Sequence, residues 1–373
     1  MSIGSILDVM KISNGQTMTM KTILVNKSAS VKDEGEMKFF IIGLGSMGKR
    51  RIRCLKALGY ENVFGFDKRE DRRKEVEAAY HIKTFADVEL AFREVRPDAV
   101  IISVPPDVHH LYMEMAIARG CHFFVEASVV DTNMEMIKNK LAGLSLVAAP
   151  SATMLFHPAI REIEHILQQG VLGKISNVIY HSGQYLPDWH TYEKVSDYYV
   201  SNPLTGGARE IVPFELSWLT QLFGFPRKVS AQVRKTINIE GAEEIDDTYN
   251  MLFDYGDFLA TLTVDVVSRY ATRRLVLNGD QKQLLWDWNE KVVKIYDPVK
   301  GEWSREEYKM NEAASGYNQN IGENMYIEEL KCFIDAIKEK WPFINTMEND
   351  HRILKLLYAC EEADRKSEYV EFR

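Results

Sequence analysis

Cysteine is scarce in this chain: four among 373 residues, Cys54, Cys121, Cys332 and Cys360, none in a CxxC pair. That argues against a disulfide framework and a cysteine-ligated zinc site, and it suits a reducing cytoplasm. Long apolar runs are missing too. None approaches the ~18 residues of a membrane span, and the N-terminus lacks the apolar core of a signal peptide. There is no excess of positive charge: the formal net charge is −8, which argues against nucleic acid as the main partner. HExxH, GxSxG and GxxxxGK[ST] do not occur, so the usual marks of zinc peptidases, serine hydrolases and P-loop nucleotidases are absent. The histidines show no metal-ligand spacing; His165 and His351 fall in helical patterns and are expected on surfaces.

What is present is a globular composition, 46% hydrophobic and 27% charged, and a length that suits two domains. Residues 1–36 are rich in Ser, Thr, Met and Lys and end in KDEGE. With only the strand-like TILV (22–25) as a local signal, they read as a loosely attached extension. From Met37 the chain alternates. Apolar strand-length runs (KFFII 38–42, NVFGFD 62–67, DAVIIS 98–103, CHFFVE 121–126, LSLVAA 144–149) are separated by helical patterns at 46–58, 70–80, 110–120 and 131–141. This predicts an α/β domain over 37–150 with a parallel sheet.

After Pro150 a helix is expected at 158–170 and a strand at 175–183, then six strands between 227 and 297 with little helix among them. Helices near 323–340 and 348–366 close the chain. Residues 151–373 therefore predict an α+β domain with a large open antiparallel sheet.

The first strand runs into Gly43-Leu44-Gly45-Ser46-Met47-Gly48, a GxGxxG between strand and helix, with Asp67 closing the next strand. This context marks a dinucleotide turn. Gly43 permits the tight turn, Gly45 lets the backbone approach a pyrophosphate, and Gly48 allows close helix–strand packing. Leu44, Ser46 and Met47 supply the remaining backbone at the helix N-terminus, which favours an anion. Asp67 suits the ribose hydroxyls of NAD, whereas Lys68 and Arg69 beside it can meet the 2′-phosphate of NADP. NAD is the expected cofactor.

Three further segments carry a family resemblance: VPPDVHH (104–110), AxxRGCHFFVE (116–126) and FHPAI (156–160). With the glycine turn, the chain resembles the glucose–fructose oxidoreductase, inositol dehydrogenase and MocA family. The resemblance implies a Rossmann domain and an open sheet that pairs subunits, here as a homodimer or homotetramer. It also implies NAD(P)-dependent hydride transfer on a sugar, an inositol or a nucleotide sugar. It places Pro105, His109 and Glu126 beside the cofactor. The family follows that Glu with Lys and Pro, and the Lys takes part in proton transfer; here Ala127 and Ser128 follow. The family's Asp-x-x-x-His after a Gly-Gly pair aligns with Glu210 and Phe214, or with Glu215 if one residue is skipped, so the imidazole is missing.

Replacements have to come from elsewhere. Residues 183–193 are dense in functional groups, and Tyr185, Asp188, Trp189 and Tyr192 are candidate substrate contacts. His190 is the expected acid/base, since imidazole alone among common side chains titrates near neutrality unaided. Glu210 is the second catalytic candidate, and Arg209 beside it can clamp a carboxylate or phosphate. Pro213 is expected in the first turn of their helix. Two alternatives stay open: a nucleotide-binding protein without turnover, and an interaction protein that uses the open sheet.

Overall fold

The computed structural model describes residues 37–190, 193–310 and 322–372. The proposed extension at 1–36 and the candidate Tyr192 lie outside the described residues. Six short strands build the first sheet: β1 (Phe39–Ile42), β2 (Val63–Phe66), β3 (Lys83–Phe85), β4 (Ala99–Ile102), β5 (His122–Val125) and β6 (Ala148–Pro150). They pair in parallel in the order β3-β2-β1-β4-β5-β6. Helices α1 (Ser46–Ala57), α2 (Glu70–Tyr80), α3 (Val88–Val95), α4 (His109–Ala118) and α5 (Met134–Leu141) connect them. The central strands read as unbroken apolar runs because both faces are covered. Phe39 and Ile41 enter one core, Phe40 and Ile42 the other.

Some local expectations shift. β3 and α3 have no counterpart in the sequence reading; β3 is only three residues long, with Phe85 alone buried. The helix expected from 131 starts at Met134, after Asn133 takes a left-handed φ of 58°. The strand expected at 144–149 is reduced to Ala148–Pro150, and Leu144 stays exposed.

The second half follows with α6 (Pro158–Gln168), β7 (Ile175–Tyr185), α7 (Ala208–Phe223), β8 (Lys228–Arg234), β9 (Thr248–Asp254), β10 (Leu259–Asp265), β11 (Val267–Gly279), β12 (Gln283–Asp287), β13 (Val292–Asp297) and β14 (Glu302–Glu307). Then come α8 (Glu323–Ile337), α9 (Met347–Lys366) and β15 (Val370–Glu371). The nine strands lie in the order β14-β13-β12-β11-β7-β10-β9-β8-β15. All neighbours are antiparallel except β7 and β10, so the sheet is mixed. The exception has a cause: the chain leaves β7 for the long α7 connection, and such a crossover brings a later strand back in the same direction.

Two helices return to the first half. Phe333 of α8 and Phe343 pack on Phe124 of β5, with ring centroids 5.9 and 6.2 Å apart. Met347 and Leu354 of α9 join the core beneath Phe40 and Ile42. His351, expected on a surface, is therefore buried, between Asp131 and Glu135 at 3.7 and 3.4 Å. Among the described residues, no helix is long and apolar enough to cross a membrane.

Candidate active site

A cleft of about 770 Å³ lies between the ends of the parallel strands and the second half of the chain, a volume that suits a cofactor with a small ligand. Its first wall starts at the glycine turn. Gly43 has φ 93°, and a Cβ there would stand 2.3 Å from the Ser103 carbonyl oxygen. A Cβ on Gly48 would stand 1.9 Å from the Gly43 oxygen. Both glycines serve packing. Gly45 differs: the nearest atom to its virtual Cβ is Nη1 of Arg72, at an ordinary 3.5 Å. The space over Gly45 is open, and no acidic residue stands in the first turn of α1, so a pyrophosphate fits there.

Asp67 is nearly buried at the end of β2. Its Oδ2 accepts the Leu44 N–H at 2.9 Å and its Oδ1 the Arg69 N–H at 2.9 Å, with Arg72 Nη1 3.6 Å away. Arg69 and Arg72 line the cleft, as do Ser46, Met47 and Pro105, whereas Lys68 is exposed and outside the lining.

Deeper in, His109 donates Nε2–H to the Val104 carbonyl at 2.8 Å, and burial pulls its pKa down to about 4. The imidazole is neutral and presents Nδ1 as an acceptor. Glu126 lines the cleft but is held from behind. Arg51 of α1 grips both its oxygens at 2.7 Å, and Ser103 Oγ adds a bond of 3.0 Å. The same guanidinium reaches Glu329 of α8 at 2.9 Å, and Glu329 also accepts from Ser151, Ala152 and Thr153. Replacing Arg51 with Met is expected to cost roughly 3 kcal/mol or more, because two carboxylates lose the cation they share in the interior. Chemical denaturation checks this; a loss under about 1 kcal/mol would show that the cluster reorganises freely. Ala127, next in line, brings no proton carrier to the wall.

The opposite wall comes from the end of β7 and the segment leading to α7. His190 bonds Glu193 through Nδ1 at 2.9 Å and stacks on Tyr198 with centroids 4.7 Å apart. Burial lowers its pKa against the pull of Glu193, and Arg72 and Lys49 lower it further. Those two cations flank the glycine turn. Glu210 lies in the first turn of α7 and accepts the Tyr199 hydroxyl at 2.5 Å. Burial raises the Glu210 pKa to about 7. Burial also raises the Tyr199 phenol well above its usual range, helped by Glu210 and, further off, by Glu126. Both residues line the cleft, as Glu126 does.

Several expected site residues are placed otherwise. Arg209 is buried and outside the cleft lining. Its guanidinium is spent on Glu361 at 2.6 Å and on the carbonyls of Val129 and Leu204, so it has no fork left for a ligand. Tyr185 is covered by the Arg269 guanidinium at 3.7 Å, and Asp188 is exposed; neither lines the cleft. Trp189 does. Pro213 is the sixth residue of α7 rather than part of its first turn. Glu215, the alternative match to the family's missing group, is fully buried beneath four donors: Tyr180, Ser182, Trp218 and Arg273. It lies in the core and does not line the cleft. Tyr199, Gln184 and Arg273 line the cleft and were not foreseen. The Tyr198-Tyr199 doublet ahead of Gly206-Gly207 is the one local signal that points to any of them.

A parallel sheet carrying this glycine turn, joined to a large open sheet across a cleft, defines a fold of the NAD-binding Rossmann class. The chain belongs to the Gfo/Idh/MocA family: residues 37–142 match the oxidoreductase family with an NAD-binding Rossmann fold, and residues 160–285 match the Gfo/Idh/MocA C-terminal domain. No curated protein matches the sequence. Among solved structures, it is similar to levoglucosan dehydrogenase in complex with NADH and levoglucosan (13% identity, TM-score 0.78, 90% of this chain and 99% of the other). An oxidoreductase from Agrobacterium radiobacter, in complex with NAD+, L-tartaric acid and magnesium, gives 13%, 0.77, 90% and 98%. GenD2 from gentamicin A biosynthesis, in complex with NAD, gives 15%, 0.73, 94% and 99%.

Proposed function

We propose that this protein is an NAD(H)-dependent oxidoreductase that interconverts a hydroxyl and a ketone on a sugar, an inositol or a nucleotide sugar, with Glu210 and Tyr199 handling the proton. The observation that carries the reading is the Glu210–Tyr199 hydrogen bond inside the cleft, with the carboxyl held near pH 7. The bound nicotinamide supplies the hydride acceptor or donor. The open space over Gly45, the bare first turn of α1 and the acceptor Nδ1 of His109 suit that dinucleotide. Glu210 ionised takes the hydroxyl proton in oxidation; Glu210 protonated returns it in reduction. Tyr199 keeps its proton at neutral pH and orients the carboxyl. Glu126, clamped by Arg51, keeps one geometry through both directions.

The test is a panel of neutral sugars, inositols and nucleotide sugars followed by NADH absorbance. A substrate-dependent change supports the reading. Tight NADH binding with no turnover on any member would favour a protein that holds the nucleotide without reacting, the alternative raised by Ala127.

Asp67 supports NAD over NADP, because a 2′-phosphate would meet its charge. NADH is expected to bind roughly tenfold or more tightly than NADPH, about 1.4 kcal/mol, by calorimetry. The reverse order would mean that Arg69 and Arg72 decide the choice. The reading also makes the chain a homo-oligomer through the open face of the second sheet, where Ile179 and Leu259 are exposed on neighbouring strands. A monomer in light scattering would reject that part.

A further inference from the structure

Arg273 is 2% exposed, yet it reaches the wall of the cleft. Its Nε donates to Glu215 at 2.8 Å. Its Nη1 is buried and has no hydrogen-bond partner among the described residues. Glu215 has nothing more to offer it. Oε1 of that carboxylate already takes Ser182 Oγ and Arg273 Nε, and Oε2 takes Tyr180 and Trp218. A carboxylate has about four acceptor positions, and all are in use.

The backbone aims this group deliberately. Arg273 pairs with Ser182 across β11 and β7, and Gln184, two residues along β7, shares that face and also lines the cleft. The register of β11 shifts between Val267 and Thr272, just before Arg273; such bulges re-aim side chains beside functional sites. The guanidinium lies 4.5 Å over the Trp288 ring and 5.8 Å from the Phe214 ring. Phe214 is one helical turn after Glu210, and both line the cleft. Arg273 and Glu210 therefore flank the same aromatic side chain.

We propose that Arg273 is the specificity-determining donor of the substrate half of the cleft, giving a guanidinium N–H to an uncharged oxygen, hydroxyl or carbonyl, of a polyhydroxylated substrate. This rests on the oxidoreductase reading above. The acceptor is neutral because Glu215 already balances the guanidinium charge. A carboxylate in its place would also face Glu210, which must ionise to act as a base. A polyol ring then spans the site, with one hydroxyl at Glu210 and another oxygen on Arg273. A buried donor without its acceptor makes a site reject analogues that lack that oxygen far more strongly than an apolar pocket could.

The experiment compares wild type, Arg273→Lys and the paired variant Arg273→Gln/Glu215→Gln, which leaves no lone buried carboxylate. NADH affinity and thermal unfolding serve as fold controls. The probes are glucose, xylose and myo-inositol, their monodeoxy analogues, and glucuronate. For the best substrate, removing one particular hydroxyl should lower kcat/KM in wild type by a factor on the order of 10⁴. In the paired variant, with NADH affinity kept, that discrimination should collapse to within about tenfold, and KM should rise more than kcat falls. A folded variant that keeps the full discrimination overturns the proposal alone, as does a preference for glucuronate over glucose. If wild type turns over neither these probes nor any member of the wider panel of sugars, inositols and nucleotide sugars, the oxidoreductase reading fails. Calorimetry of the same polyols on NADH-loaded protein then judges Arg273 separately: binding lost in the paired variant supports it, and equal binding, or none by wild type, overturns it.

Discussion

Glu210→Gln is expected to lower turnover by roughly 10² to 10⁴, the usual contribution of a positioned proton carrier, while NADH binds as before. Gln keeps the volume and can still meet the Tyr199 hydroxyl, so a loss reports the proton and not the packing. The pH profile supplies a second readout. Burial raises this carboxyl to about 7. Oxidation needs the ionised form, so its rate should climb as pH rises through that value. Reduction needs the acid, so its rate should climb as pH falls through it. Both limbs should vanish in the variant. His190→Ala should be mild by comparison, with a loss under about tenfold, because its Nδ1 is held by Glu193 and its ring is stacked on Tyr198. Loss of turnover in His190→Ala with Glu210→Gln near wild type would return the acid/base role to the imidazole.

Gly45→Val is expected to abolish measurable NADH binding while leaving thermal unfolding close to wild type. Among the described residues, the atoms near the virtual Cβ are Nη1 and Cζ of Arg72, the tip of a flexible side chain, at 3.5 and 3.8 Å, so the folded chain accepts the new side chain. What it fills is the space a pyrophosphate requires. Gly48→Val is the contrasting control: its Cβ would collide with the Gly43 carbonyl oxygen at 1.9 Å, and the fold itself should suffer. Calorimetry and a melting curve on both variants separate the cases. Unchanged NADH affinity in Gly45→Val would remove this loop from the cofactor site.

These predictions draw on features of unequal legibility. The glycine turn and Asp67 are readable because the chemistry is local: a turn, a strand end and about twenty residues between. The α2 limits match the expected 70–80 because a charged run bounded by strands has few alternatives. Glu210 is readable as a carboxylate after Gly206-Gly207, but its partner Tyr199 is brought to it by a loop with no periodicity. Arg209 departs from the expected ligand clamp for a physical reason. An arginine beside a carboxylate looks the same in sequence whether it awaits a ligand or a partner 152 residues away, as Glu361 is. Arg51 shows the same limit, with acceptors 75 and 278 residues distant. Arg273 sits in an ordinary strand run, and only the saturation of Glu215 reveals its spare donor. His190 drew attention for its intrinsic pKa, whereas its position along the cleft is set by tertiary folding.

The three-way clasp of Arg51 with Glu126 and Glu329 bears on how this chain can be cut or recombined. A fragment ending near Pro150 would carry the glycine turn and all six parallel strands. It would leave behind α8, whose Glu329 completes the clasp and whose Phe333 covers Phe124, and with it the Met347 and Leu354 plugs of α9. The nucleotide half is therefore not a portable module. A chimera that exchanges it between relatives has to take the C-terminal helices along, or else bring an α1 whose position 51 is no longer a cation waiting for a carboxylate from the far end of the chain.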